Sequence, residues 1–228
     1  FDRLRCPATG ARLVRDGAVL RTENSAQSYR LNGLGVPMFA EAVLSSDAER
    51  QRVHYDRIAA AYVEHLNYPH TEVYTDYLDR ALFDAIGTRD LGVTAELCCG
   101  RGEALRLLAD RIPEGIGVDI SEEMLNAAIN EGVQDACILV QGDATKVPLA
   151  DESVDSVIML GGIHHVNDRA GLFREIARIL KPGGRFYWRE PVSDFLLWRG
   201  LRGLIYRLSP ALDHETERPL RYIETKPP

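Results

Sequence analysis

The sequence is poor in lysine and cysteine and has no long apolar run. Lysine occurs only at Lys146, Lys181 and Lys226, against 24 arginines, an imbalance that reads as genome composition rather than chemistry. No apolar stretch approaches the roughly 18 residues that span a membrane, so stable membrane insertion is excluded. The four cysteines, Cys6, Cys98, Cys99 and Cys137, lie in apolar surroundings and do not form a secreted disulfide framework. With no signal peptide, a reducing cytoplasm is the expected compartment. No Cys or His cluster has metal spacing, so no metal is expected. Positive charge is also in deficit. With 27 basic and 34 acidic residues the net charge is −7, which opposes phosphate backbones and argues against a nucleic acid partner.

What remains is an ordinary globular composition, 45% hydrophobic and 27% charged over 228 residues. That is enough for one full domain with a small appendage. Residues 1–40 read as short strands and turns, at Leu4–Pro7, Ala18–Leu20, Tyr29–Leu31 and Gly35–Phe39, broken by Gly and Pro. A unit this small should lean on the larger domain beside it. Residues 41–228 form that main domain: a helical cap over 46–86, a core over 92–190, and a helix and tail over 191–228. The cap holds two helices, about Ser46–Leu66 and His70–Ile86, with Asp47 where an N-cap would stand.

After Gly92 short apolar runs alternate with helices, the pattern of a doubly wound, mostly parallel α/β sheet. Strands are expected at Val93–Cys98, Ile116–Ile120, Cys137–Gln141, Val154–Leu160 and Arg185–Glu190. Helices are expected near Glu103–Arg111, Glu122–Ile129 and Arg169–Leu180. Right-handed crossovers bring the carboxyl ends of the strands to one crevice.

The chemistry gathers at those ends. The first strand runs through Glu96-Leu97-Cys98-Cys99-Gly100-Arg101-Gly102-Glu103 into a helix, where glycine lets the backbone approach a ligand. A dinucleotide site requires G-x-G-x-x-G here; Cys98 and Glu103 occupy the first and third glycine positions. Asp119, 23 residues after Glu96, and Asp143 close the next two strands. These three carboxylates describe a ligand with an amine, a ribose and an adenine, and without phosphates.

Together, Glu96–Glu103, Val118-Asp119-Ile120-Ser121, Gly142-Asp143-Ala144 and the stretch from Asp155 through His164-His165-Val166 to Leu180-Lys181-Pro182-Gly183-Gly184 resemble the class I S-adenosylmethionine-dependent methyltransferases. The resemblance covers roughly residues 50 to 190. It implies a Rossmann-like, seven-stranded sheet and S-adenosylmethionine as cofactor. It further implies Glu96 and the backbone at Gly100 and Gly102 around the methionine part, Asp119 on the ribose, Ile120 packing on the adenine, and Asp143 with the Ala144 amide at the adenine edge. Cys98 and Leu160 are included among the cofactor neighbours; the family usually has glycine at the position of Cys98. Tyr55 and Tyr62 share one face of the helix that lies over the cofactor in the family. They are either core aromatics or site residues, with Tyr62 the preferred neighbour.

His164 and His165 follow the fourth strand and are either a general base for the acceptor or a structural turn. Residues 1–40 resemble a degenerate zinc-ribbon-like module, with Cys6-Pro7 kept and the other cysteines absent. A structural or partner-docking role without zinc is expected. Asp194–Leu208 reads as an amphipathic helix with a basic face, which either covers the site, binds an apolar substrate, touches a membrane surface, or simply packs on the sheet. The strand pair that closes the family's sheet is missing from the remaining residues, where only Leu220–Glu224 suggests a strand. The chain opens at Phe1 rather than Met. A truncated chain, or a partner subunit or second copy completing the sheet edge, is therefore expected.

The implied activity is methyl transfer to a small-molecule acceptor, natural-product or lipid-like. Alternatives are an RNA methyltransferase and a noncatalytic, partner-activated cofactor-binding subunit.

Overall fold

Two residue periods build this chain, an alternation of two in its strands and of 3.6 in its helices. The computed structural model describes residues 2–24, 26–40, 44–66 and 69–190. A three-stranded antiparallel sheet comes first: β1 (Leu13–Asp16), β2 (Val19–Thr22) and β3 (Ser28–Arg30). Two helices come next, α1 (Ser46–Leu66) and α2 (Pro69–Ile86). Then come β4 (Val93–Leu97), α3 (Glu103–Leu107), β5 (Glu114–Asp119), α4 (Glu122–Asn130), β6 (Cys137–Gln141), β7 (Val154–Leu160), α5 (Arg169–Ile179) and β8 (Leu180–Arg189). The second sheet is wholly parallel in the order β6-β5-β4-β7-β8. Its order reverses between β4 and β7, the switch point at which such sheets open a ligand crevice.

The strands bury both faces. On one face Ala95, Leu97, Val118, Val140, Val157 and Met159 pack with Leu172, Ile176 and Ile179 of α5. On the other, Leu139 and Ile158 pack with Leu105 of α3, Leu125 of α4 and Ile86 of α2. Of the first forty residues, Leu4, Leu20, Tyr29 and Phe39 are buried in the α5-side cluster, and Val36 and Met38 in the other. Burial of such side chains is worth about 1.5–3 kcal/mol each, which is how a segment too small for its own core is held.

Several expected boundaries shift. Ser45 caps α1, its hydroxyl accepting the Ala48 N–H at 3.1 Å; Asp47 lies inside the first turn and pairs with Arg50. Helix α3 ends at Leu107, and Ala109–Arg111 forms a separate 3₁₀ turn. Strand β8 starts at Leu180 because a register irregularity between Val154 and Ser156 absorbs the Lys181-Pro182-Gly183-Gly184 turn. Strand β1 has no clear mark in the sequence, since most of its residues are exposed and show no apolar alternation. The large sheet has five strands among the described residues, where the resemblance implies seven. The amphipathic helix, the Leu220–Glu224 strand and the question of a closing strand pair fall on residues 191–228 and lie outside the described residues.

Candidate active site

The carboxyl ends of β4, β5, β6 and β7, with α1, surround a crevice of about 470 Å³, within the size range of small-molecule sites. The turn from β4 into α3 forms its floor. Cys98, Gly100 and Gly102 all take left-handed φ, at 50°, 53° and 74°. Cys98 thus adopts a backbone conformation suited to glycine, at a cost of about 1–2 kcal/mol. Its packing is equally tight: a Cβ at Gly162 would stand 2.7 Å from Cys98 Cβ. Backbone conformation and side-chain size therefore both constrain this position.

Glu96 is 1% exposed. Its two oxygens accept the N–H groups of Ala104 at 3.1 Å and Leu105 at 3.0 Å, so it satisfies the start of α3 while lining the crevice. Burial outweighs those donors and raises its carboxyl to about 8. Asp119 Oδ2 accepts the Gly100 N–H at 2.7 Å and Oδ1 the Ser121 N–H at 2.9 Å. Burial again prevails and lifts it to about 6. Ser121 in turn caps α4 by accepting the Met124 N–H at 3.1 Å, and its hydroxyl donates to Asp56 of α1 at 2.7 Å. Asp143 Oδ1 accepts both the backbone N–H and the hydroxyl of Thr145 at 2.8 Å, which fixes the turn after β6.

Of the expected residues, Tyr62, Glu96, Cys98, Gly100, Asp119, Ile120, Asp143, Ala144, Leu160 and His165 line this crevice. Gly102 and His164 do not. Gly102 is the N-cap of α3, and a Cβ there would meet Val133 at 2.9 Å, so packing and backbone conformation are what require glycine. His164 Nδ1 instead lies 2.7 Å from Glu190 Oε2, while Glu190 Oε1 accepts the Ile163 N–H at 2.7 Å.

Tyr62, the tyrosine the sequence favours, shares the crevice with Tyr55, which the sequence underrates. The Tyr55 hydroxyl lies 2.8 Å from His165 Nε2, both residues line the crevice, and Tyr62 packs edge-on against Tyr55. Burial, then the neighbouring His164 and His54, push His165 down to about 3. It is a neutral imidazole at physiological pH. Burial raises the Tyr55 hydroxyl, so it keeps its proton. Their adjacency in space joins residues 110 positions apart, which no local pattern reveals.

The donor set fits a phosphate-free nucleoside. Glu103 stands at the start of α3, and the nearby Arg101 guanidinium is bound to Glu103 at 3.1 Å and Glu131 at 3.2 Å. The turn therefore pairs its one cation with carboxylates, whereas the buried acids at the ends of β5 and β6 are acceptors suited to hydroxyl and amino groups. The five-stranded parallel sheet with its flanking helices has the Rossmann-like fold of class I methyltransferases.

Comparison with known proteins agrees. Residues 95–188 match the methyltransferase domain family. The chain is 34% identical over 114 residues to the 27-O-demethylrifamycin SV methyltransferase of Amycolatopsis mediterranei, covering 48% of this chain and 40% of that one. It is 37% identical over 97 residues to the demethylmenaquinone methyltransferase of Lactobacillus johnsonii, covering 40% of each. The chain thus spans 40% of the length of these two curated relatives. Among solved structures it is similar to a putative methyltransferase in complex with the Trm112 methyltransferase activator of Haloferax volcanii, at 34% identity and a TM-score of 0.50, covering 60% of this chain and 58% of that one. No helix among the described residues is long and apolar enough to cross a membrane, and no group of three or more candidate metal ligands occurs among them.

Proposed function

We propose that this protein transfers a methyl group from S-adenosylmethionine to a small-molecule acceptor, natural-product or lipid-like. The observation that carries the reading is the buried Asp119 carboxylate, set by two backbone N–H groups at the mouth of a crevice opened by the sheet's switch point. The relatives that act on a rifamycin and on demethylmenaquinone support an acceptor of this kind, and a net charge of −7 opposes RNA.

In this reading Asp119 holds the ribose, Asp143 and the Ala144 amide take the adenine edge, and Ile120 and Leu160 pack on the ring. Glu96 and the backbone at Gly100 surround the methionine part, with Tyr62 and Cys98 nearby. The bound cofactor supplies an already activated methyl group. The chain's own task is to orient the acceptor and exclude water, and orientation alone provides a large share of such a rate. His165, rather than His164, is the candidate base: a proton leaving an acceptor hydroxyl passes to its imidazole, with Tyr55 holding the ring.

Residues 1–40 are read as a zinc-ribbon-like structural module without zinc. The likeness to the Haloferax volcanii complex favours a second reading, in which a partner subunit activates this chain. Mass spectrometry of ligands co-purified with the protein, followed by turnover of methyl-labelled cofactor on hydroxylated small molecules, tests the first reading. Tight RNA binding that persists at physiological salt would count against it. Turnover that appears only with an added partner supports the second.

A further inference from the structure

Among the described residues, none of 1–40 lines the crevice, yet they grip the segment that does. The chain from Gln141 to Ala150 leaves β6, supplies Gly142, Asp143, Ala144, Thr145 and Lys146 to the crevice wall, and then leads to β7. It is clasped at both ends through backbone atoms. At the start, the Gln141 N–H donates to the Pro37 carbonyl at 2.9 Å, and the Phe39 N–H donates to the Gln141 carbonyl at 2.9 Å. Met38 thereby forms a parallel bridge with Gln141. At the far end, the Arg5 N–H donates to the Pro148 carbonyl at 3.0 Å and the Ala150 N–H to the Arg3 carbonyl at 2.9 Å, on either side of an antiparallel bridge between Leu4 and Leu149.

Helix α5 holds the middle, with Glu175 accepting the Val147 N–H at 2.8 Å and Arg178 donating to the Val147 and Leu149 carbonyls. Both clasps are anchored in turn. The Met38 N–H donates to the Arg30 carbonyl of β3 at 3.0 Å, and Phe39 packs on Tyr29 with ring centroids 4.8 Å apart. Leu4, Leu20, Tyr29 and Phe39 lie in the core shared with the large sheet. Thus the small sheet, the two clasps and the crevice wall form one hydrogen-bonded and packed unit.

We propose that residues 1–40 act as a built-in brace for the crevice, holding 142–147 in its binding shape, so that docking of the brace and occupation of the crevice favour each other. This rests on the crevice being the cofactor site. Coupling of this kind is reciprocal: if the brace organises the wall, a ligand in the crevice must tighten the brace. A segment that only covered apolar surface would slow no more than the general stabilisation of the fold by a bound ligand requires.

The test is amide hydrogen exchange on the full chain, with and without saturating S-adenosylhomocysteine. The peptides spanning 96–103 and 119–124, which touch the crevice, report whether the ligand binds. The brace predicts that peptides spanning 2–6 and 36–40 also slow, by about fivefold or more, although none of them lines the crevice. Slowing at 96–103 and 119–124 with unchanged exchange at 2–6 and 36–40 overturns the brace and leaves the cofactor reading standing. No slowing in any of these peptides overturns the cofactor reading and the brace with it.

Discussion

Asp119 and Gly100 join the ends of two neighbouring strands: the carboxylate that closes β5 accepts, at 2.7 Å, the N–H of the turn that leaves β4. Each Asp119 oxygen accepts a backbone N–H, and a carboxylate has about four lone-pair sites. The side chain is therefore fixed in place and still able to receive a pair of hydroxyls. One interaction both shapes the crevice floor and presents a carboxylate to the crevice.

Glu96 and Asp119 make stability depend on pH. Their carboxyls are raised by burial, to about 8 and about 6, above the ordinary carboxylate range. Between the unfolded and folded values the folded state binds more protons, so stability falls as pH rises. The cofactor-free protein is expected to unfold at a progressively lower temperature from about pH 6.5 to pH 8 in scanning calorimetry, above the range in which the depressed His165 opposes the trend. Glu96→Gln flattens the upper part of that curve. A midpoint that rises over the same interval would contradict this account of Glu96.

The His165–Tyr55 pair predicts an unusual pH–rate profile. Because His165 is held near 3, kcat lacks the acid limb near pH 6.5 that an ordinary histidine base produces. His165→Asn lowers kcat by about 10²–10⁴-fold. Tyr55→Phe, which keeps the ring and removes the hydroxyl, gives a smaller loss. His164→Asn, outside the crevice, costs less than about tenfold. Equal losses at His164 and His165 would show that the two act as one structural turn.

Cys98 should tolerate glycine and reject branching. Cys98→Gly relieves about 1–2 kcal/mol of left-handed strain against about 0.4–1 kcal/mol of added unfolded-chain freedom. Chemical denaturation is expected to find it at least as stable as the parent. Cys98→Val keeps the strain and adds bulk where Gly162 already approaches closely; it is destabilised by about 1–3 kcal/mol.

Much of this was legible in the sequence because it is local. The short apolar runs at Val93–Leu97, Cys137–Gln141 and Val154–Leu160 mark strands buried on both faces, and β6 and β7 fall where the sequence sets them. Asp119 and Asp143 are legible for the same reason, since a strand end fixes where its last side chain stands. Features that depend on distant residues were not. The separation of His165 from His164 is decided by Tyr55 on α1 and by Glu190 beyond β8. The grip of Pro37 and Phe39 on Gln141 pairs segments about a hundred residues apart. Gly102 has the look of a ligand-loop glycine, but its neighbour is Val133.

The central claim is that the crevice is a cofactor site organised around Asp119, and calorimetric titration with S-adenosylhomocysteine tests this most directly when parent and Asp119→Ala are measured side by side. The expected result is saturable one-to-one binding by the parent and its loss in a variant that remains folded. No heat of binding from the parent, or parent-like affinity in Asp119→Ala, would contradict it.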